Sequence, residues 1–198
     1  VLAIGNSFSE DALENYLYEL STAAGKKVVI GNLYIGGAPL ELHLKNAHNN
    51  LKAYSYRKIN LEGEKKKTEQ VSIEDALADD NWDYISLQQA SPFSGKYNII
   101  MQSLGDVWTY VFAHVHPDTK LVYHQTWAYQ QDSKHEGFAN YENNQKNMYD
   151  SIMSVTSRLE KSGDYEFVVP VGTTIQNART SSIGDNFTRD GYHLYLDY

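Results

Sequence analysis

The chain has 198 residues, 41% hydrophobic and 21% charged, which suits one folded domain with a sizeable core. Its formal charge of −8 repels phosphate backbones and argues against nucleic acid as a partner. Cysteine is absent, which excludes disulfides, thiolate metal sites and a cysteine nucleophile, and no apolar run approaches the roughly 20 residues that span a bilayer.

The chain opens inside an apolar run, Val1-Leu2-Ala3-Ile4, with no initiator Met and no signal peptide. The sequence is therefore expected to be trimmed, with any export signal removed. This first run reads as a strand ended by Gly5-Asn6. A helix is predicted over about residues 8–24, with Ala12, Leu13, Tyr16, Leu17 and Leu20 on one face and Gly25 as its stop. A second strand begins at Val28 and runs to about Ile35, closed by Gly36-Gly37. Pro39 then opens a helix in which Leu40, Leu44, Ala47 and Leu51 recur at helical spacing.

From Tyr54 to Gln70 the residues alternate and turn at Glu62-Gly63-Glu64, the pattern of a solvated β-hairpin inserted into the layout. The run Lys65-Lys66-Lys67 lies among glutamates there and reads as a solvated turn. Ser72 with Asp75 has capping-box spacing for a short helix to about Ala78. Tyr84-Ile85-Ser86-Leu87 is the third strand, and a helix is predicted over about residues 97–114, before Pro117. The fourth strand starts at Leu121 and runs to Trp127, and a longer helix is predicted over about residues 141–161. Phe167-Val168-Val169 begins the fifth strand, and the tail from Gly172 is less regular. Strands alternating with helices predict an α/β fold: three layers, flavodoxin-like, with a five-stranded parallel sheet in the order 2-1-3-4-5 and an inserted hairpin.

Ligands of such a sheet bind beyond the carboxyl ends of the strands, where the strand order reverses. Here those ends are Gly5-Asn6-Ser7-Phe8-Ser9, Gly36-Gly37-Ala38 and Gln88-Gln89-Ala90-Ser91. Ser7 follows a strand and precedes a helix, which suits either a helix cap paired with Glu10 or a nucleophile. A nucleophile needs a base. Of the seven histidines, His43 and His48 lack metal-pair spacing, His114 and His116 suit a helix end, His124 sits on a strand, and His135 reads as a solvated loop residue. His193 differs, because Asp190 precedes it by three residues across Gly191 and can hold one imidazole nitrogen while the other acts as base.

Gly5-Asn6-Ser7-Phe8-Ser9 and Asp190-Gly191-Tyr192-His193 resemble the first and last sequence blocks of the SGNH/GDSL hydrolases. More narrowly, the whole chain resembles a Bacteroidetes branch formerly catalogued as a domain of unknown function. "GNSFSEDA", "GGAPLELH", "DYISLQQAS", "QTWAY" and "DGYHL" carry that resemblance. It implies a serine esterase in which Ser7 attacks, His193 moves the proton and Asp190 orients His193. The oxyanion donors it implies are the N–H groups of Ser7 and Gly37, with Gly36 as the neighbouring candidate. The superfamily's usual third donor is an Asn side chain after the third strand; here Gln88 or Gln89 stands in its place. Neither cofactor nor metal is implied.

The implied substrate is a small acyl ester, first of all an O-acetylated carbohydrate, and the implied compartment is extracytoplasmic. The heavy aromatic load suits sugar-facing surfaces as well as packing. Trp127 and Tyr129 could stack on substrate or simply pack. Asn6, Gln89 and Gln125 are polar candidates, and Arg179 could receive a carboxylate or pair with Asp185. Two other classes compete: a catalytically silent glycan-binding domain, favoured by the missing Asn, and a phosphate- or nucleotide-binding domain. Against the latter, the first loop has neither the P-loop nor the dinucleotide-binding glycine pattern. The oligomeric state is not legible.

Overall fold

The structure, a computed structural model, describes residues 1–196. Strand β1 (Leu2–Gly5) leads into helices α1 (Ser7–Leu13) and α2 (Leu17–Ala23), then β2 (Ile30–Tyr34) and α3 (Leu40–His48). A hairpin of β3 (Tyr54–Ile59) and β4 (Lys65–Val71) precedes α4 (Ile73–Ala78) and β5 (Tyr84–Leu87). Helices α5 (Tyr97–Met101) and α6 (Leu104–Phe112), β6 (Lys120–His124), α7 (Gln145–Ser162), β7 (Phe167–Val169) and α8 (Val171–Ala178) follow.

Among the described residues, all seven strands join one sheet in the order β4-β3-β2-β1-β5-β6-β7. β1 pairs in parallel with β2 and β5, β6 extends β5, and β7 extends β6. The five parallel strands thus follow the 2-1-3-4-5 order expected from the sequence. The hairpin is not a separate flap: β3 pairs antiparallel with β2, setting Ile59 opposite Ile30, so the sheet gains two strands at that edge. Alternation explains this, because Tyr54, Tyr56 and Ile59 turn into the core while Ser55, Arg57 and Lys58 lie between them. The new outer edge is β4, whose lysines are exposed and discourage further strand addition.

One face of the sheet contributes Leu2, Ile4, Ile85, Leu87, Leu121 and Tyr123 to a core completed by α3, α6 and α7. A second cluster forms just past β1 and β6, where Phe8, Trp127, Tyr129, Phe138 and Met148 pack together. Two predicted helices are broken. The first divides at Glu14, whose carboxylate turns inward to Asn32, Arg57 and Lys65, and α2 then buries none of its residues. The second divides at Ser103 into α5 and α6. The Ser72 capping box is present, and α8 is a helix the sequence did not signal. Among the described residues no helix is long and apolar enough to cross a membrane.

Candidate active site

The turn after β1 is built from side-chain hydrogen bonds. Asn6 caps α1: its Oδ1 accepts the Phe8 N–H at 3.0 Å, and its Nδ2 donates to the Ala38 carbonyl at 3.0 Å. That second bond ties the loop after β1 to the loop after β2. A Cβ at Gly5 would collide with the Ser9 side chain, so the strand can enter the turn only through glycine. Ser7 is the first residue of α1 and is half-buried. Its N–H is one of the donors that a helix start leaves without an intrahelical partner.

The second half of the site comes from the other end of the chain. Asp190 Oδ1 accepts the N–H groups of Tyr192 and His193 at 3.1 and 2.8 Å, which closes a tight turn. Its Oδ2 lies 2.6 Å from His193 Nδ1. Burial would raise the Asp190 carboxyl, but the His193 N–H, the His193 ring and the Tyr192 N–H outweigh it and hold the group below its ordinary value. With Nδ1 committed, His193 Nε2 is buried and has no hydrogen-bond partner among the described residues. Gly191 has φ +94°, and a Cβ there would come within 2.8 Å of Ser133 Oγ, so this turn requires glycine on two counts.

This turn is docked onto α1. Leu194 N–H donates to Asp11 Oδ2 at 2.8 Å, and Arg189 Nη2 lies 3.6 Å from Asp11 Oδ1. Asp11 is one helical turn beyond Ser7, so the helix that starts with the hydroxyl also clamps the turn that carries the imidazole. Burial raises the Asp11 carboxyl above its ordinary value, against the pull of Leu194 N–H, Arg189 and His193. Trp127 adds a second brace: it stacks on Phe8 with centroids 4.1 Å apart and donates from Nε1 to the Tyr192 carbonyl at 2.7 Å.

The result is a cleft of about 290 Å³ lined by Asn6, Ser7, Gly36, Gly37, His135 and His193, with Tyr34 and Tyr192 as its aromatic walls. Ser7 and His193 line it together, without a hydrogen bond between them; such contacts commonly tighten only when substrate binds. Gly37 has φ +66°, a conformation that suits glycine in the turn after β2. A larger cavity of about 580 Å³, between α5 and α7, has no comparable serine–histidine pair. A third, mostly apolar, is lined by His124, which has no acid partner among the described residues and is pushed down to about 4 by burial.

Comparison with known proteins then places the molecule. A family described as "Domain of unknown function (DUF4886)" matches residues 1–198. The chain belongs to that family. The DUF4886 chain is 50% identical to a DUF4886 family protein from Bacteroides uniformis whose crystal structure superposes with a TM-score of 0.96, over 99% of this chain and 76% of that one. A Slackia heliotrinireducens protein provisionally assigned to the SGNH hydrolases is 16% identical, with a TM-score of 0.62 over 98% of this chain and 89% of that one. A Bacteroides fragilis protein provisionally named an acylhydrolase is 14% identical, with a TM-score of 0.51 over 98% and 77%. These last two likenesses establish a shared fold. No curated protein matches the chain.

Several residues picked from the DUF4886 sequence have other tasks. Gln88 is buried, and its Nε2 donates to Asn6 Oδ1 at 2.6 Å, so its amide braces the cap from behind and does not line the cleft. Gln89 Oε1 accepts the Leu40 and Ala90 N–H groups at 3.0 and 2.8 Å, and this buried residue lines a different cavity, with Pro39 and Phe93. Trp127 and Tyr129 are 0% exposed and pack in the second core, so neither offers a stacking face. The Arg179 side chain is also buried, pairing with Asp185 at 2.7 Å and donating to the Ala128 carbonyl at 2.8 Å, which removes it as a carboxylate receptor. Gln125 holds Thr156 and Thr173 in the interior. Asn6 does line the cleft, though its amide is engaged as the cap.

His135 is the converse correction. The sequence suggested a solvated loop residue, yet the ring lines the cleft and is held by Tyr129, Gly137 and Tyr192. The available signal was the run of aromatics around it, Trp127, Tyr129, Phe138 and Tyr141, which marks a loop folded onto a core. Among the described residues no group of three or more acidic or histidine side chains could hold a metal ion.

Proposed function

We propose that the protein is a serine esterase that hydrolyses small acyl esters, O-acetyl groups on carbohydrate first among them. The observation that carries the reading is one cleft lined by both Ser7 and His193, with His193 Nδ1 held by Asp190 and Nε2 left unpartnered among the described residues. The imidazole is thereby committed to one tautomer, with its basic nitrogen free. The shared SGNH-hydrolase fold supports the same chemistry.

In this mechanism Ser7 Oγ bonds to the acyl carbon while its proton passes to His193 Nε2 and the carbonyl electron pair moves onto oxygen. Asp190 keeps the imidazolium oriented. Collapse of the adduct expels the alcohol, which takes the proton from His193. Water then repeats the sequence: its oxygen bonds to the acyl carbon, its proton goes to His193, and Ser7 leaves carrying that proton. The products are the alcohol and the carboxylic acid. The N–H groups of Ser7 and Gly37, with Gly36 beside it, are the backbone donors for the developing oxyanion. Tyr34 and Tyr192 are the aromatic surfaces a sugar ring would meet.

A catalytically silent glycan-binding domain is the alternative, and the engagement of Gln88 with Asn6, which takes away the expected side-chain donor, is the observation in its favour. Hydrolysis of 4-nitrophenyl acetate separates the two. The esterase reading predicts turnover by the wild type that Ser7→Ala abolishes. Equal rates for both proteins would support the silent domain.

A further inference from the structure

The cleft contains a second imidazole that the triad does not use. His135 lines it with Ser91 and Pro92, residues that follow β5, and with Tyr192. The ring is fixed from several sides. Its Nδ1 accepts the Gly137 N–H at 3.0 Å and lies 3.4 Å from the Tyr129 hydroxyl, which shares a 2.7 Å hydrogen bond with Ser91 Oγ. Tyr192 meets the ring edge-on, with centroids 4.7 Å apart. Gly137 lets the loop approach this closely, because a Cβ there would come within 2.6 Å of Pro92 Cβ.

An Nδ1 that accepts a backbone N–H carries no proton, so the neutral ring bears its proton on Nε2. That Nε2–H has no hydrogen-bond partner among the described residues. Burial pushes His135 below its ordinary value, against the opposite pull of Glu136, which favours this neutral form. The cleft therefore contains a fixed, neutral, unspent donor. Nucleophilic attack needs such donors at the acyl oxygen, where negative charge develops. The two glutamines beyond β5 do not supply one, since the Gln88 amide is spent on Asn6 and Gln89 is not among the residues that line this cleft.

We propose that His135 is a catalytic residue of this cleft, its Nε2–H donating to the carbonyl oxygen of the bound acyl group and holding that oxygen more tightly as it becomes negative. The inference rests on the esterase reading above. His135 keeps its proton throughout: Ser7's proton goes to His193, and His135 contributes a hydrogen bond only. It thereby completes, from the loop between β6 and α7, a set of donors otherwise drawn from the backbone after β1 and β2.

Steady-state hydrolysis of 4-nitrophenyl acetate by wild type, Ser7→Ala, His135→Ala and His135→Gln tests this. A donor to the transition-state oxygen predicts that His135→Ala loses about 10²–10³-fold in kcat with KM little changed. His135→Gln, which retains an N–H donor, should recover part of that loss. A purely structural histidine would not give this split or this rescue. Wild-type turnover far above Ser7→Ala, with His135→Ala matching wild type or raising KM alone, overturns the His135 assignment and leaves the esterase reading intact. Wild-type turnover no greater than that of Ser7→Ala overturns both.

Discussion

Ser7 sits at the start of a helix whose preceding strand is buried along its whole length, whereas His193 sits in a turn attached to the body of the protein by a few specific bonds. The first half belongs to the core: Asn6, Ser9 and Asn32 are buried and joined by hydrogen bonds, and Glu14 links the same helix to β2 and β3. The second half has little core of its own. It depends on Asp11, Trp127 and the conformation of Gly191 to keep the imidazole in the cleft. The contrast teaches that one half is positioned by the sheet itself, while the other is positioned by side-chain contacts made onto it.

Variants can break that comparison, and the largest effect belongs to the proposed base. His193→Ala should lower kcat by about 10⁴-fold or more, since removing one member of such a unit costs nearly the whole effect. Its unfolding midpoint should stay close to that of wild type. A large fall in stability would show that the turn is part of the core after all. Next comes Trp127→Ala, which removes both the Phe8 stack and the bond to the Tyr192 carbonyl. Truncating so large a buried ring should cost about 3–5 kcal/mol in denaturant unfolding. Under 1 kcal/mol would contradict the bracing role.

Asp11→Asn should act more gently, because the amide oxygen can still accept the Leu194 N–H while the pull on Arg189 weakens. A displacement of the His193 turn by a fraction of an ångström predicts a loss of about 10–100-fold in kcat/KM with the fold retained. No change in kcat/KM would mean that Arg189, Trp127 and the turn itself suffice.

The smallest effect is one of sign. Asp190 is held below its ordinary value, so its stabilisation is present above the unfolded carboxylate value and is lost as pH falls through the folded one. Asp11 is raised, so its contribution is full below the unfolded value and is lost as pH rises through the folded one. Denaturant unfolding across the acid range should therefore show Asp11→Asn gaining on wild type as pH rises, and Asp190→Asn falling behind it. Parallel curves for the two variants would contradict the opposed environments.

Much of this was legible in the sequence, for identifiable reasons. Apolar runs between helical patterns dictated the parallel sheet, and the Asp190–His193 contact follows from a spacing that is purely local. The breaks at Glu14 and Ser103 were not legible, because periodicity continues across both; at Glu14 the carboxylate turns inward to Asn32 and Arg57. Trp127 and Tyr129 follow a strand as ligand-binding residues do, yet the chain there turns inward to build the second core, and Arg179, at the end of α8, turns to Asp185. Gln88 was misread because residue type does not say whether a side chain at a strand end faces the cleft or the Asn6 cap behind it. His135 was missed because only the folded loop brings it beside Ser91 and Tyr192.

The central claim is that Ser7 is a hydroxyl activated by His193, and active-site titration with a fluorophosphonate probe reads this most directly. Peptide mapping should find the probe on Ser7 in the wild type and should find that label lost, or slowed by orders of magnitude, in His193→Ala. A label on another serine, or labelling of Ser7 at an undiminished rate without His193, would contradict it.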